Sequence, residues 1–172
     1  SDGSTIDKIK CIAGNYFFDN LVLINNAGIS KPASSPYSKK DWDLTLKVNL
    51  TAPFMLIEAL IPIFKKTKKG SIINITSLNA ERAFPDNPSY MASKGGLKVL
   101  TKFYAKSLGK YGIRANNVGP GYIVTDMTKK SYSNPKLKNN RENRTLLKRW
   151  GHPEDLVGIC LFLASNSSSY IT

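Results

Sequence analysis

Short apolar runs alternate with longer amphipathic segments along this chain, and no other feature restricts its fold as much. Three runs, 20–28 ("NLVLINNAG"), 70–77 ("GSIINITS") and 113–121 ("IRANNVGPG"), are predicted to be strands. Helical spacing of apolar residues predicts helices over 5–17, 39–68, 89–112 and 153–165. Strands that alternate with helices predict an α/β protein, with a partial doubly wound parallel sheet of the Rossmann type between two helical layers.

Capping and helix-breaking residues set the bounds of the longest predicted helix. Ser38 is a candidate N-cap, Gly70 is a candidate stop, and Pro53 and Pro62 are expected to bend the helix. Pro153 is expected in the first turn of the last helix. The chain of 172 residues shows neither a linker nor an internal repeat, so residues 1–172 are predicted to form one domain.

Composition argues against several function classes. The net charge of +13 is compatible with nucleic-acid binding, but the lysines are dispersed and no known nucleic-acid motif is present, so a solvated lysine-rich surface is favoured. The most apolar run, "FMLIEALIPIF", is too short to span a membrane and contains Glu58. With one histidine and no cluster at ligand spacing, no metal site is predicted. Cys11 and Cys160 lie in apolar helical patterns, which favours core thiols in a reduced, cytoplasmic protein.

The exits of the three predicted strands are polar or rich in glycine. They have the sequences "NNAGIS" (25–30), "TSLNAE" (76–81) and "VGPGYIVTDM" (118–127). Ligands of parallel α/β sheets bind beyond the carboxyl ends of the strands. Each exit by itself is compatible with a simple turn, whereas three together favour a ligand site.

Tyr90 and Lys94 lie four residues apart in "PSYMASKGG", so a helix places both on one face. A free tyrosine has a pKa of about 10, and a nearby ammonium lowers it, so the phenol can exchange a proton with a substrate oxygen. Ser77, at the exit of the second strand, can hold that oxygen. A second pair, Tyr132 and Lys136, has the same spacing, but Pro135 interrupts any helix between them.

Together these motifs resemble the short-chain dehydrogenase/reductases over essentially the whole chain. The matching residues, in order, are Asn25-Asn26-Ala27-Gly28, Asn49 in "KVNL", Ser77 in "INITS", Tyr90-x-x-x-Lys94, Pro120-Gly121 with Thr125, and "RWGHPEDL". Each motif alone is weak, and their common order is specific.

The resemblance implies a role for each matching residue. Tyr90 would be the general acid/base, Ser77 would orient the substrate oxygen, and Lys94 would bind the nicotinamide ribose and tune Tyr90. Asn49 would support a water-linked proton relay behind Lys94. The implied cofactor is NAD or NADP. Residues implied to contact it, besides Tyr90 and Lys94, are Asn26, Ala27, Gly28, Pro120, Gly121, Ile123 and Thr125.

Structural explanations stay open for three of these positions. Asn49 either supports the relay or only bridges backbone groups, and Thr125 either contacts the cofactor or caps the helix begun by "TDMTKK". His152 would suit a Ser-His-Asp hydrolase using Ser77. The Gly-x-Ser-x-Gly pattern is absent around Ser77, so a structural role for His152 is favoured.

The chain departs from the family pattern at both ends. Members begin with a strand and a Gly-rich pyrophosphate turn, and no Gly-x-x-x-Gly-x-Gly precedes Asn25. They also continue into a last strand after "SSSYIT". We therefore expect an internal fragment lacking about 60 N-terminal residues, since one βαβ unit takes about 30. By itself the fragment is expected to be inactive.

The sequence thus predicts a cytoplasmic NAD(P)-dependent oxidoreductase that interconverts a secondary alcohol and a ketone, such as a 3-oxoacyl, sugar or polyol substrate. The alternative is a binding or regulatory protein that keeps the fold without catalysis. By analogy with the family, the complete protein is expected to be a homo-oligomer, with neither nucleic acid nor membrane as a partner. Residues 129–149 contain eight basic residues and one acid. The resemblance implies that this stretch covers the substrate site, and a cationic cover would suit an anionic substrate. The alternative, a merely solvated loop, stays open. Arg144 and Arg149 are the candidate anion contacts.

Overall fold

Three parallel strands form the centre of the protein. A computed structural model describes residues 3–16 and 19–172. In these residues β1 (Leu21–Asn25), β2 (Gly70–Ile75) and β3 (Ile113–Val118) pair in the order β1-β2-β3. Leu21 pairs with Gly70 and Gly70 with Ile113, so the strands begin and end at the same level. Their carboxyl ends therefore meet at one edge of the sheet.

Seven helices surround or extend this sheet in the described part of the chain. They are α1 (Gly3–Gly14), α2 (Lys39–Leu46), α3 (Ala52–Thr67), α4 (Pro88–Leu108), α5 (Lys129–Tyr132), α6 (Pro135–Asn143) and α7 (Glu154–Ala164). The helix predicted over 5–17 thus begins earlier and ends at Gly14, and Phe17 lies outside the described residues.

The two faces of the sheet have separate apolar cores. On one face Ile72 packs with side chains of α3 and α4, which are Ile57, Leu60, Phe64, Tyr104 and Leu108. On the other face Ile73 and Val118 pack against Leu163 of α7. Adjacent residues of β2 are thus buried on opposite faces, as expected for a central parallel strand. The predicted three-layer α/β/α class with a partial Rossmann-type parallel sheet is confirmed.

The long helix predicted over 39–68 is two helices joined by one wide turn. Ser38 caps α2, because its side chain accepts a hydrogen bond from the backbone N–H of Asp41. Residues Lys47–Thr51 form a π-helical turn, and α3 follows with Pro53 in its first turn. The regular α-helical pattern is therefore interrupted before Pro53, where an extra residue is inserted into the helical ladder.

The predicted stop at Gly70 is wrong. The helix ends at Thr67, its C-cap Lys68 adopts a left-handed conformation with φ 52°, and Gly70 is already the first residue of β2. Gly70 is required there for space, because an added Cβ would lie 2.5 Å from Cδ1 of Phe64.

Pro153 was expected in the first turn of the last helix. It lies immediately before that helix, which begins at Glu154.

The continuous helical stretch Lys39–Thr67 has the length and hydropathy to cross a membrane. The sequence-based prediction of no membrane span rests on the shorter run "FMLIEALIPIF", which is only part of this stretch. Length and composition alone are weak evidence of a span, because core helices pass the same test. Here Ile57, Leu60 and Phe64 pack on the sheet.

The two cysteines are free thiols in different surroundings. Cys160 is partly buried on α7, but Cys11 is exposed, so its assignment to the core is wrong.

Candidate active site

The exits of the three strands surround one cleft of about 820 Å³ at the carboxyl edge of the sheet. Its wall contains Ser77, Tyr90 and Lys94 together with the residues matched to cofactor contacts, which are Asn26, Ala27, Gly28, Pro120, Gly121, Ile123 and Thr125. Residues up to 99 positions apart in the chain, Asn26 and Thr125, are thereby brought together because parallel strands end at the same edge. Asn49 is buried outside this wall.

Strand β2 and helix α4 position the three central side chains. Ser77 follows β2 in extended conformation and caps the turn Leu78–Ala80. Tyr90 lies in the first turn of α4 and Lys94 one turn later. The Lys94 side chain runs back to the sheet, where its Nζ donates a 2.7 Å hydrogen bond to the carbonyl oxygen of Ile75. The same Nζ lies 5.8 Å from the centre of the Tyr90 ring.

Burial determines the protonation of Tyr90 and Lys94. It raises the pKa of Tyr90 above its ordinary value, and a side-chain hydrogen bond with Ser77 opposes this only in part. The pKa of Tyr90 is thus raised on balance and not lowered as predicted, because burial of the phenol is the largest cause. Burial also lowers the pKa of Lys94, to about 8.

Asn49 lies in the π-helical turn behind Lys94 and is fully buried. Its Nδ2 donates to the carbonyl oxygen of Ile29 (2.9 Å) and its Oδ1 accepts from the N–H of Ile29 (2.8 Å). Nδ2 also lies 3.1 Å from Oγ of Ser93, which in turn donates to the carbonyl oxygen of Tyr90. These bonds join the loop after β1 to the helical turn that carries Tyr90. The two bonds with Ile29 are those expected if Asn49 bridges backbone groups.

Gly28 lies beside the side chains of Asn49 and Lys94. A Cβ added there would lie 3.4 Å from Oδ1 of Asn49 and 3.5 Å from Nζ of Lys94. The glycine therefore leaves room for a ligand beside the ammonium group at the bottom of the cleft.

A buried chain of amides holds the first strand exit in place. Nδ2 of Asn25 donates to Oδ1 of Asn74 (2.7 Å), and Nδ2 of Asn74 donates to Oγ1 of Thr101 (2.8 Å). Sequence reasoning missed Asn74 and Thr101. The available signal was the asparagine in "SIINI", because a buried amide in a strand requires a partner.

The loop after β3 is fixed by Thr128. Its hydroxyl donates to the carbonyl oxygen of Ile123 (2.6 Å) and accepts from the N–H of Thr125 (2.9 Å). Helix α5 begins at Lys129, after Thr128, so the N-cap alternative for Thr125 is wrong. Thr125 is left on the wall of the cleft.

The basic segment 129–149 packs around Trp150, away from the cleft wall. Tyr122 and Tyr132 contact the Trp150 ring at centroid distances of 5.6 and 5.4 Å, and the Arg141 guanidinium lies 5.4 Å from it. Tyr132 ends α5 and Lys136 lies on α6, so the second Tyr-x-x-x-Lys pair does not share a helix, as predicted. In the described chain, none of the eight basic side chains of this segment lines the cleft.

Arg149 is occupied by an internal ion pair. Its two terminal nitrogens lie 2.7 and 2.8 Å from the carboxylate oxygens of Asp155, which also accepts from the N–H of His152. The assignment of Arg149 as a substrate contact is therefore wrong, because its bidentate geometry is already used. Arg144 is exposed. His152 contributes its backbone to this cap, and its side chain is not among the described residues of the cleft wall.

Sequence reasoning also missed the apolar side of the cleft. Helix α7 contributes Leu156, Val157, Cys160, Leu161 and Ala164, and β1 contributes Ile24. The pattern "EDLVGICLFLA" indicated a buried helix but not which side chains face a ligand. The described residues contain no cluster of three or more His, Cys, Asp or Glu side chains that could hold a metal ion.

Comparisons with known proteins give a consistent result. A family model described as Enoyl-(Acyl carrier protein) reductase matches residues 15–172. Gluconate 5-dehydrogenase of Gluconobacter oxydans (strain 621H) is 38% identical over 151 residues, which are 87% of this chain and 59% of that protein. The 3-oxoacyl-[acyl-carrier-protein] reductase FabG of Thermotoga maritima is 40% identical over 152 residues, 88% of this chain and 61% of that protein.

A solved structure extends the likeness to three dimensions. A gluconate 5-dehydrogenase from Burkholderia cenocepacia J2315, in complex with NADP and tartrate, superimposes with a TM-score of 0.90 at 32% identity. The match covers 98% of this chain and 65% of that one. The chain thus spans about three fifths of the length of the curated relatives it matches.

Proposed function

Because this chain belongs to the short-chain dehydrogenase/reductase family, we propose that the protein containing it interconverts a secondary alcohol and a ketone with NAD or NADP. One observation carries the proposal. The side chains of Ser77, Tyr90 and Lys94 line a single cleft at the carboxyl edge of a parallel sheet. Serine, tyrosine and lysine there can hold a substrate oxygen and exchange a proton with it.

The cleft fits a nicotinamide cofactor. Its volume of about 820 Å³ lies within the range of small-molecule sites. The missing Cβ of Gly28 leaves space beside the Lys94 ammonium, a donor suited to ribose hydroxyls. The contacts we assign to the cofactor are Asn26, Ala27, Gly28, Tyr90, Lys94, Pro120, Gly121, Ile123 and Thr125. When bound, the cofactor supplies or accepts the hydride.

Tyr90 exchanges the proton in this proposal. Its raised pKa keeps the phenol protonated near neutral pH, so it donates to a carbonyl oxygen during reduction. Oxidation requires the phenolate, which the Ser77 hydroxyl and a protonated Lys94 both favour. Asn49 keeps the helical turn of Tyr90 against the loop after β1.

For the substrate we propose a sugar acid of the gluconate type. The support is that a curated relative and a superimposable structure are both named gluconate 5-dehydrogenase. A second candidate is a 3-oxoacyl group on a carrier protein, which the likeness to FabG favours. Oxidation of D-gluconate, compared with reduction of an acetoacetyl thioester by the same full-length protein, separates the two.

The test of the proposed function is Tyr90→Phe in the full-length protein. We expect turnover to fall by at least about a hundredfold, because the general acid/base is lost, while cofactor affinity changes little. Tyr132→Phe is the matched control, since Tyr132 belongs to the second Tyr-x-x-x-Lys pair and packs on Trp150. Normal turnover in Tyr90→Phe would exclude the assignment and favour the alternative of a non-catalytic binding protein.

We further propose a cytoplasmic homo-oligomer. The free thiols of Cys11 and Cys160 suit a reducing compartment. Helices α3 and α4 carry an outward apolar groove of about 470 Å³, lined by Leu50, Thr51, Phe54, Gly96, Val99, Leu100 and Phe103. Phe103 is 57% exposed and Val99 64%, and apolar surface of this kind is typical of a subunit interface.

A further inference from the structure

The Ser77 hydroxyl is held by a residue that no matched motif includes. Oγ of Ser77 accepts a hydrogen bond from the backbone N–H of Asn79 at 3.2 Å. The same hydroxyl lies 3.3 Å from Oδ1 of Asn79, to which it donates. The turn Leu78–Ala80 that follows β2 therefore contacts Ser77 through both backbone and side chain.

A serine hydroxyl has one proton to donate, and this limits what Ser77 can do at any moment. While the proton points to Oδ1 of Asn79, it is withheld from Tyr90 and from a substrate oxygen in the cleft. The Asn79 side chain is half-buried and does not line the cleft, so it acts on this proton only through Ser77.

We propose that Asn79 is a positioning residue that sets the direction of the Ser77 hydroxyl proton. This inference rests on the proposed function of Ser77. The neutral amide is a weak acceptor, so it orients the hydroxyl and releases the proton when a substrate oxygen arrives. A carboxylate at the same position would be a stronger acceptor and would retain the proton.

The test uses the full-length protein and four variants: Asn79→Asp, Asn79→Ala, Ser77→Ala and the double variant Ser77→Ala/Asn79→Asp. Turnover, KM and cofactor affinity are measured from pH 3.5 to 8, a range that crosses the ordinary carboxyl pKa of about 4. We expect Asn79→Asp to lower kcat about tenfold at pH 8, the effect of about one hydrogen bond. The ratio to the parent rises as the pH falls and the introduced carboxylate is protonated. Asn79→Ala lowers kcat less, with a pH-independent ratio, and cofactor affinity is unchanged in both.

Two controls separate positioning from a structural role. Asn140→Asp places the same charge at an exposed position of α6 and should leave kcat unchanged. In the Ser77→Ala background, Asn79→Asp should cause no further pH-dependent loss, because the hydroxyl on which it acts is absent.

Three results would overturn the inference. Parental kcat in both Asn79 variants, with Ser77→Ala impaired, would refute it and leave the proposed function intact. An equal pH-dependent loss with and without Ser77 would show that Asn79 acts by another route. An unimpaired Ser77→Ala variant would overturn both the inference and the role of Ser77 in the proposed function.

Discussion

Nζ of Lys94 lies 2.7 Å from the carbonyl oxygen of Ile75, the last residue of β2. This bond ties α4 to the end of the central strand at the bottom of the cleft. The Lys94 residue is only 3% exposed. A protonated amine is therefore held where water is largely excluded, and the cost appears as a pKa lowered to about 8.

The buried amine of Lys94 should make the free energy of unfolding depend on pH. Below about pH 8 Lys94 is protonated in the folded and unfolded states, and the cost of burial is present in full. Between about pH 8 and 10 the unfolded chain binds more protons, so the free energy of unfolding rises with pH, by up to roughly 3 kcal/mol. We expect Lys94→Met to remove this rise. Denaturant unfolding at several pH values measures it, with Lys98→Met as the control because Lys98 forms a partly exposed pair with Glu81. An unchanged rise in Lys94→Met would contradict the assignment.

The ion pair of Arg149 and Asp155 predicts a different pH dependence. The Arg149 guanidinium holds the pKa of Asp155 well below its ordinary value. Its contribution to stability is thus present above the unfolded pKa of about 4 and is lost as pH falls through the lower folded value. Asp155→Asn should lower the melting temperature at pH 7, and its difference from the parent should shrink in acid. Asp43→Asn, which breaks an exposed pair with Lys39, should have little effect at either pH. Equal melting temperatures for Asp155→Asn and the parent at pH 7 would refute this.

The charge of residues 129–149 predicts salt-dependent use of anionic substrates. Although these side chains do not line the cleft, their field should raise the association rate of an acid. We expect kcat/KM for a sugar acid to fall with ionic strength, and that for a matched neutral polyol to stay constant. Arg144→Gln should lower the rate for the acid on the order of twofold at low salt. Arg149→Gln tests the structural assignment: it should lower the melting temperature instead. Equal salt dependence for both substrates would show that the charge of this segment does not assist the binding of anionic substrates.

The apolar groove of α3 and α4 predicts the assembly state. Phe103→Glu should shift the full-length protein to smaller species, because a carboxylate would be buried in the interface. Leu146→Glu is the matched control, since Leu146 is 98% exposed and lies outside the groove. Sedimentation or light scattering gives the mass, and an unchanged mass for Phe103→Glu would place the interface elsewhere.

Local sequence determined the elements and the convergence of the site. Runs such as "LVLIN" and "SIINI" are apolar on consecutive residues and could be buried on both faces only in a parallel sheet. The spacing of Tyr90 and Lys94 fixed their common helix face, since that relation depends on one helical turn. Pro135 likewise separated Tyr132 from Lys136 through the backbone of its immediate neighbours.

Tertiary contacts decided the electrostatics and the partners. The pKa of Tyr90 depends on how deeply α4 buries the phenol, and the partner of Lys94 is a carbonyl 19 residues away in the chain. From the sequence, Arg149 was a candidate substrate contact. The structure excludes this role because Asp155, at the start of α7, forms an ion pair with its guanidinium. The contact between Asn79 and Ser77 is visible only in the structure, because a turn places the Asn79 amide next to the Ser77 hydroxyl. Desolvation and hydrogen-bond geometry depend on surrounding atoms in space, and residue type and spacing along the chain do not specify those surroundings.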